Sequence, residues 1–334
     1  MKLTTAFLAQ ANDTFVERIF AAPRRERIAR LSHLLPEVLN PENLEKFRKE
    51  AAEVNVLFTC WSFPHELLTP ENFPALKLVL YSGGTVKGFA RPLLECGVQV
   101  VSARAANAIA VAHFCLGQII LSCKGFFSNT RECREPGRMR SWSCDDGGRG
   151  LYGEKIALLG MGAVARELVP LLRQCDLNVL AMDPYLQAEE AARLNVERAS
   201  MEEAFANAYV VSNHLPNLPE LQGVIDRKLL ASMRPNATFI NTGRGAQVNE
   251  TDLIEVARER PDLTFLLDVT EPEPPLPGSP LYELPNVQLS AHIAGAMNDE
   301  VRRLGDFVIE EFVRYQAGQP LLHAERLELL ARQA

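Results

Sequence analysis

The chain has 334 residues, 23% of them charged, and a formal net charge of −7. That length holds two domains, each able to bury a core. The acidic balance leaves no basic face for nucleic acid or for an acidic membrane surface, so small molecules are the expected partners. Seven cysteines (Cys60, Cys96, Cys115, Cys123, Cys133, Cys144 and Cys175) are odd in number and include no C-x-x-C pair. This suits reduced thiols in a cytoplasmic protein rather than a disulfide frame or a zinc site.

At the N-terminus, Lys2, a short apolar run and Ala9-Gln10-Ala11 imitate a secretory signal with its cleavage site. Thr4, Thr5 and Gln10 leave the apolar region too short, and a first strand is expected instead. Up to about Ala103, strand-like runs at 54–58, 76–80 and 98–101 alternate with helical ones, which predicts a small α/β unit. Asn40-Pro41-Glu42 supplies a helix start, with Leu44 and Phe47 on one face. The apolar stretch 105–121 is interrupted by Asn107, His113 and Gln118. It is expected to fall short of a membrane span and to run as a buried helix to about Phe127. Residues 134–150, rich in Gly, Arg and Ser without periodicity, are expected to form an irregular surface arm.

The mid-chain segment is the most informative. Lys155-Ile156-Ala157-Leu158-Leu159 is an apolar run of strand length, and Gly160-Met161-Gly162-Ala163-Val164-Ala165 follows it. From Arg166 to Leu172 apolar residues recur at helical spacing, with Pro170 as a disturbance. Strand, glycine turn and helix in that order form the dinucleotide-binding context. The first glycine allows the tight turn, the second lets a pyrophosphate approach the backbone, and the third position, here Ala165, lets helix and strand pack closely. A second run, 178–182, ends about 20 residues on at Asp183, where a carboxylate can accept the ribose hydroxyls of NAD. The same carboxylate would repel a ribose phosphate, and no Arg follows it directly in Asp183-Pro184-Tyr185, so NAD is favoured over NADP. Alternation resumes at 208–212, 237–241, 263–267 and 287–290, which argues for a parallel, doubly wound sheet. The proline-rich stretch 272–280 is expected as loop. A last helix over 298–315 carries Val301, Leu304, Phe307, Val308, Ile309, Phe312 and Val313 on its apolar face.

Three polar residues lie just past strand ends of this sheet, where ligands bind in open α/β folds: Arg244, Glu273 and His292. A ketone reduced by hydride needs a proton for the developing alkoxide, and a histidine titrates in the right range to give it. A carboxylate such as Glu273 would fix the ring's tautomer. Arg244 can hold a carboxylate with two parallel donors, a geometry that Lys lacks.

These segments resemble the D-isomer-specific 2-hydroxyacid dehydrogenases, a family that includes phosphoglycerate, glycerate and D-lactate dehydrogenases. Phe239-Ile240-Asn241-Thr242-Gly243-Arg244-Gly245 is similar to the family's arginine motif. Asp268-Val269-Thr270-Glu271-Pro272-Glu273-Pro274 is similar to its acid motif, and Ser290-Ala291-His292-Ile293-Ala294-Gly295 to its histidine motif. The resemblance implies an NAD-dependent enzyme that interconverts a D-2-hydroxyacid and its 2-oxoacid. His292 would be acid and base, Glu273 rather than Glu271 its partner, and Arg244 a substrate ligand. Gly160, Gly162, Ala163, Val164, Asp183, Thr242, Arg244, Asp268, His292 and Gly295 would contact the cofactor, Asp268 at the nicotinamide carboxamide. Glu273 also argues against the formate-oxidising branch, which has Gln in that role. Ser82-Gly83-Gly84-Thr85 resembles the family's substrate-domain turn, whose amides would take the substrate carboxylate, and Trp61-Ser62 could line the pocket.

The implied architecture is a Rossmann domain over 104–293 beside a smaller flavodoxin-like substrate domain. The latter is discontinuous, built from 1–103 and 294–334, with a hinged cleft, and the protein would dimerise through the Rossmann domain. Ala165 for the third glycine, His113 for the usual Glu and Val86 for the usual Asp mark a departure from the family pattern. An NAD(H)-sensing binding protein, similar to the corepressors that share this fold, is the alternative, with NADH turnover as the discriminator.

Overall fold

The computed structural model describes residues 2–134 and 148–330, so the expected 134–150 arm, with Cys144, lies almost wholly outside the described residues. Contacts divide the chain into two compact units, Met1–Asn107 with Ala296–Gln333, and Ala108–Gly295.

The first unit is built on five parallel strands, β1 (Thr4–Leu8), β2 (His33–Leu39), β3 (Val56–Cys60), β4 (Leu78–Ser82) and β5 (Gln99–Ser102), in the order β2-β1-β3-β4-β5. This is the flavodoxin-like order. Strands β3 and β4 are buried along their whole length, which is why they read as continuous apolar runs rather than alternating ones. The helix Val301–Gln316 packs on the sheet, setting Phe312 edge-on to Phe58 at 5.3 Å between ring centres. Asn107 Oδ1 accepts the Ala296 N–H at 2.8 Å and so joins the points where the chain leaves and re-enters this unit.

The second unit holds seven parallel strands: β6 (Lys155–Leu159), β7 (Asn178–Met182), β8 (Glu197–Arg198), β9 (Val210–Asn213), β10 (Thr238–Asn241), β11 (Thr264–Leu267) and β12 (Val287–Leu289). Their order is β12-β11-β10-β9-β6-β7-β8. The strand order reverses at β6, and the crevice at the carboxyl ends of β6 and β9 is where such sheets bind ligands. Each face carries its own apolar layer. Ile156, Leu158, Leu168 and Val179 lie in one, and Leu159, Phe205, Phe239 and Phe265 in the other.

Four local expectations are corrected. Strand β2 was not anticipated, because Pro36 interrupts its pattern; as an edge strand it tolerates the missing donor. Asn40 does cap, its Oδ1 accepting from Glu42 N at 2.9 Å and Asn43 N at 3.1 Å, yet residues 41–47 form successive turns and helix appears only at Arg48–Ala51. The expected helix to Phe127 is two, Arg104–Cys123 and Phe126–Glu132, parted at Gly125. Contrary to the sequence reading, Arg104–Cys123 is long and apolar enough to cross a membrane. Val111, Ala112, Cys115, Ile119 and Cys123 nevertheless lie in a protein core, which accounts for its apolar character. The six described cysteines are all free.

Candidate active site

The dinucleotide loop joins β6 to the helix Ala163–Arg173. Gly160 sits at φ 87°, and a Cβ there would lie 2.9 Å from the carbonyl oxygen of His214, so only glycine fits between the two loops. Gly162 is the N-cap residue; nothing lies within 4 Å of where its Cβ would be, and the helix start stays open to an anion. Ala165 is fully buried in the apolar layer, so its methyl is accommodated where the family has glycine. A cavity of about 670 Å³ opens beside this loop, lined by Gly160, Asp183, Tyr185, Met201, Pro216 and Leu218 among others. Asp183 is fixed at its edge, Oδ2 accepting from Met161 N and Oδ1 from Tyr185 N, each at 2.8 Å. Its remaining lone pairs can take ribose hydroxyls, and the apolar walls suit an adenine ring. Open helix end, acid and apolar cavity together fit NAD.

At the ends of β10, β11 and β12 the structure brings Arg244, Glu273 and His292 into one neighbourhood. His292 Nδ1 lies 2.7 Å from Glu273 Oε1, with both side chains about half exposed, while Glu271 lines a separate small cavity with Glu250. The carboxylate keeps the proton on Nδ1 and leaves Nε2 for a substrate. His292 adopts φ 53°, rare for a residue with a side chain, and its loop is held by Asp268. That carboxylate, 2% exposed, accepts from Ser290 Oγ at 2.5 Å and from Ile293 N and Ala294 N at 2.9 Å each; its backbone oxygen takes His292 N at 3.0 Å. Asp268 thus organises the loop that carries His292. A second cavity, about 420 Å³, is lined by Glu273, His292, Pro275 and Tyr282. Burial lowers Arg244 from its ordinary pKa against the opposing pull of Glu273, and its Nη1 donates to Gly243 O at 2.7 Å.

Sequence reasoning missed the scaffold beneath Arg244. Gln247, 1% exposed, has Oε1 accepting from Asn213 Nδ2 at 2.6 Å and Arg244 N at 3.2 Å. Its Nε2 donates to Leu215 O at 2.7 Å and Pro216 O at 2.8 Å. Asn241 Nδ2 donates to Arg244 O at 3.2 Å. The network joins the Arg244 loop to residues 215–216, which wall the large cavity. His214, also missed, has Nε2 3.0 Å from Ser212 Oγ and Nδ1 3.4 Å from Thr242 Oγ1. Burial lowers its pKa to about 4, so it stays neutral and is no rival to His292 as a proton carrier near neutral pH. A three-residue polar run at a strand end was its only sequence signal.

Ser82, Gly83 and Gly84 lie in the first unit, at the end of β4, and Trp61 and Ser62 follow β3 in the same unit. Of the departures from the family pattern, Val86 is buried in that unit's core and His113 is exposed on its helix.

Residues 116–294 match the family described as D-isomer specific 2-hydroxyacid dehydrogenase, NAD binding domain. A D-3-phosphoglycerate dehydrogenase of Archaeoglobus fulgidus is 28% identical over 231 residues, covering 69% of this chain and 43% of the relative. A Bacillus subtilis protein named as a 2-hydroxyacid dehydrogenase, YoaD, is 33% identical over 208 residues, covering 60% of this chain and 58% of the relative. The chain therefore matches only about two fifths to three fifths of the length of these relatives. Among solved structures, the apo D-mandelate dehydrogenase of Rhodotorula graminis has a TM-score of 0.80 at 19% identity, with 98% of both chains covered. A phosphoglycerate oxidoreductase of Rhizobium etli has a TM-score of 0.78 at 20% identity, covering 97% of this chain and 98% of that one. At such identities the structural likeness speaks to fold. The family match spans more than half of the chain and all three motifs up to Ala294. The chain belongs to the D-isomer specific 2-hydroxyacid dehydrogenase family, and residues 116–294 are its NAD-binding domain.

Proposed function

We propose that the protein is an NAD(H)-dependent oxidoreductase that interconverts a D-2-hydroxyacid and its 2-oxoacid. The observation that carries this reading is the 2.7 Å contact between His292 Nδ1 and Glu273 Oε1 at the strand ends, beside Arg244. Glycines 160 and 162, the first-turn amides at Ala163 and Val164, and Asp183 would hold the cofactor, with Thr242, Asp268 and Gly295 in the neighbouring loops. When bound, NADH supplies a hydride to the substrate carbonyl carbon. His292 Nε2–H then gives its proton to the carbonyl oxygen as that oxygen becomes a hydroxyl; in the reverse direction neutral Nε2 takes the hydroxyl proton. Glu273 keeps a proton on Nδ1 in both states of the ring, the imidazolium that gives its Nε2 proton in reduction and the neutral ring whose Nε2 accepts one in oxidation. Arg244 orients the substrate through paired donors, and the Ser82–Gly83–Gly84 turn takes its carboxylate on backbone amides. A cytoplasmic homodimer is part of the proposal, with exposed Leu121 and Phe126 as apolar surface to be covered.

The test is NADH oxidation with a panel of small 2-oxoacids: glyoxylate, hydroxypyruvate, pyruvate, 2-oxobutyrate, phenylpyruvate and 3-phosphohydroxypyruvate. Turnover of any of them supports the reaction class, and the order of rates reads out the preferred side chain. NADH binding with no turnover across a wider panel would favour the cofactor-sensing alternative, which no feature of the described residues favours now.

A further inference from the structure

The turn after β4 carries its own aiming device. Ser102, the last residue of β5 and 3% exposed, directs its hydroxyl at the neighbouring turn, reaching Gly84 O at 2.5 Å and Gly83 O at 3.2 Å. The same oxygen accepts from Arg104 N at 3.1 Å. In a planar trans peptide the C=O and the following N–H point in opposite directions. Holding the oxygens of Gly83 and Gly84 against Ser102 therefore turns the N–H groups of Gly84 and Thr85 away from it. Among the described residues, the amides of Gly83, Gly84 and Thr85 donate to no protein acceptor. Tyr81 closes the other side, since a Cβ on Gly83 would fall 2.4 Å from its ring. Adjacent outward amides with their carbonyls tied back form an anion-binding concavity.

We infer that Ser102 is a positioning residue for substrate: it touches no ligand, and it aims the Gly84 and Thr85 amides at the substrate carboxylate. The inference rests on the reading of this turn as the carboxylate site of a 2-oxoacid reductase. The bland account is that Ser102 only caps the helix that begins at Arg104. Capping alone would affect stability and leave KM unmoved.

The full-length protein with NADH is compared with Ser102→Ala and Ser102→Thr. In Ser102→Ala the KM for the 2-oxoacid should rise about tenfold, a loss of the order of one hydrogen bond, with kcat within about threefold and the NADH Kd unchanged. Ser102→Thr keeps the hydroxyl and should restore KM to within about threefold of the original. Independently of turnover, the unreactive carboxylate oxamate should shift the amide NMR signals of Gly84 and Thr85, and Ser102→Ala should abolish those shifts at the same oxamate concentration. An unchanged KM in folded Ser102→Ala, or equal oxamate shifts in both proteins, overturns the inference. If no 2-oxoacid is turned over, the proposed function fails while the oxamate titration still decides the role of Ser102.

Discussion

Glu273 Oε1 faces His292 Nδ1 at 2.7 Å, and the backbone that presents His292 is itself pinned by Asp268 through three donors to its carboxylate and one to its carbonyl. The charge at Nδ1 is what Glu273 contributes beyond geometry. Glu273→Gln keeps a hydrogen-bonding group of similar size and loses the charge, so kcat/KM should fall by about 10²-fold with NADH affinity intact. Steady-state kinetics beside an NADH titration check this.

Arg244 is placed through both ends of its own backbone, its N–H on Gln247 and its carbonyl on Asn241. Arg244→Lys retains the charge and lacks the planar fork. The KM for the 2-oxoacid should rise by about one to two orders of magnitude, whereas the NADH Kd should stay within about threefold. Equal damage to both would show that the side chain serves the cofactor instead.

Asp183 is fixed by Met161 N and Tyr185 N at the edge of the large cavity. Replacing it with Ala removes the carboxylate proposed to accept the ribose hydroxyls of NAD and to repel a ribose phosphate. Calorimetric titration should show NADH binding weakened about tenfold and the NADH-to-NADPH preference shrinking.

Gln247→Leu has nearly the same volume and strands Arg244 N and Leu215 O in a buried site, while Asn213 Nδ2 keeps Asn241 Oδ1 and Pro216 O keeps Leu218 N. A loss of about 2–4 kcal/mol in unfolding free energy is expected from denaturant titration. A change below about 0.5 kcal/mol would mean that the network relaxes without cost.

His214 gives a pH signature. Burial lowers its pKa from 6.5 to about 4, so between those values the unfolded chain binds a proton that the folded chain refuses. Its contribution to stability is then fully present above pH 6.5 and is lost as pH falls toward 4, by roughly 3 kcal/mol at most. His214→Gln should flatten that part of the stability curve, measured by denaturant titration at several pH values.

What the sequence made legible was local. Glycine loop, acid and the three motifs are short runs whose chemistry is readable in order, and β1, β3, β4 and β5 announce themselves as apolar runs. What it hid depends on contacts between distant positions. Ser102 reaches back 18 residues to Gly84, Gln247 reaches 32 to Leu215, and β2 is recognisable only once β1 stands beside it to excuse Pro36. Asp268 is readable as a motif acid, yet its service to Ser290, Ile293 and Ala294 requires the fold.

The most direct test of the account is NADH-linked reduction of the best 2-oxoacid by the unaltered protein and by His292→Ala, with NADH binding measured on both. The account predicts that turnover falls by about 10³-fold or more while NADH binding survives. Retained turnover, or loss of NADH binding together with activity, would contradict the assignment of His292 as the proton carrier.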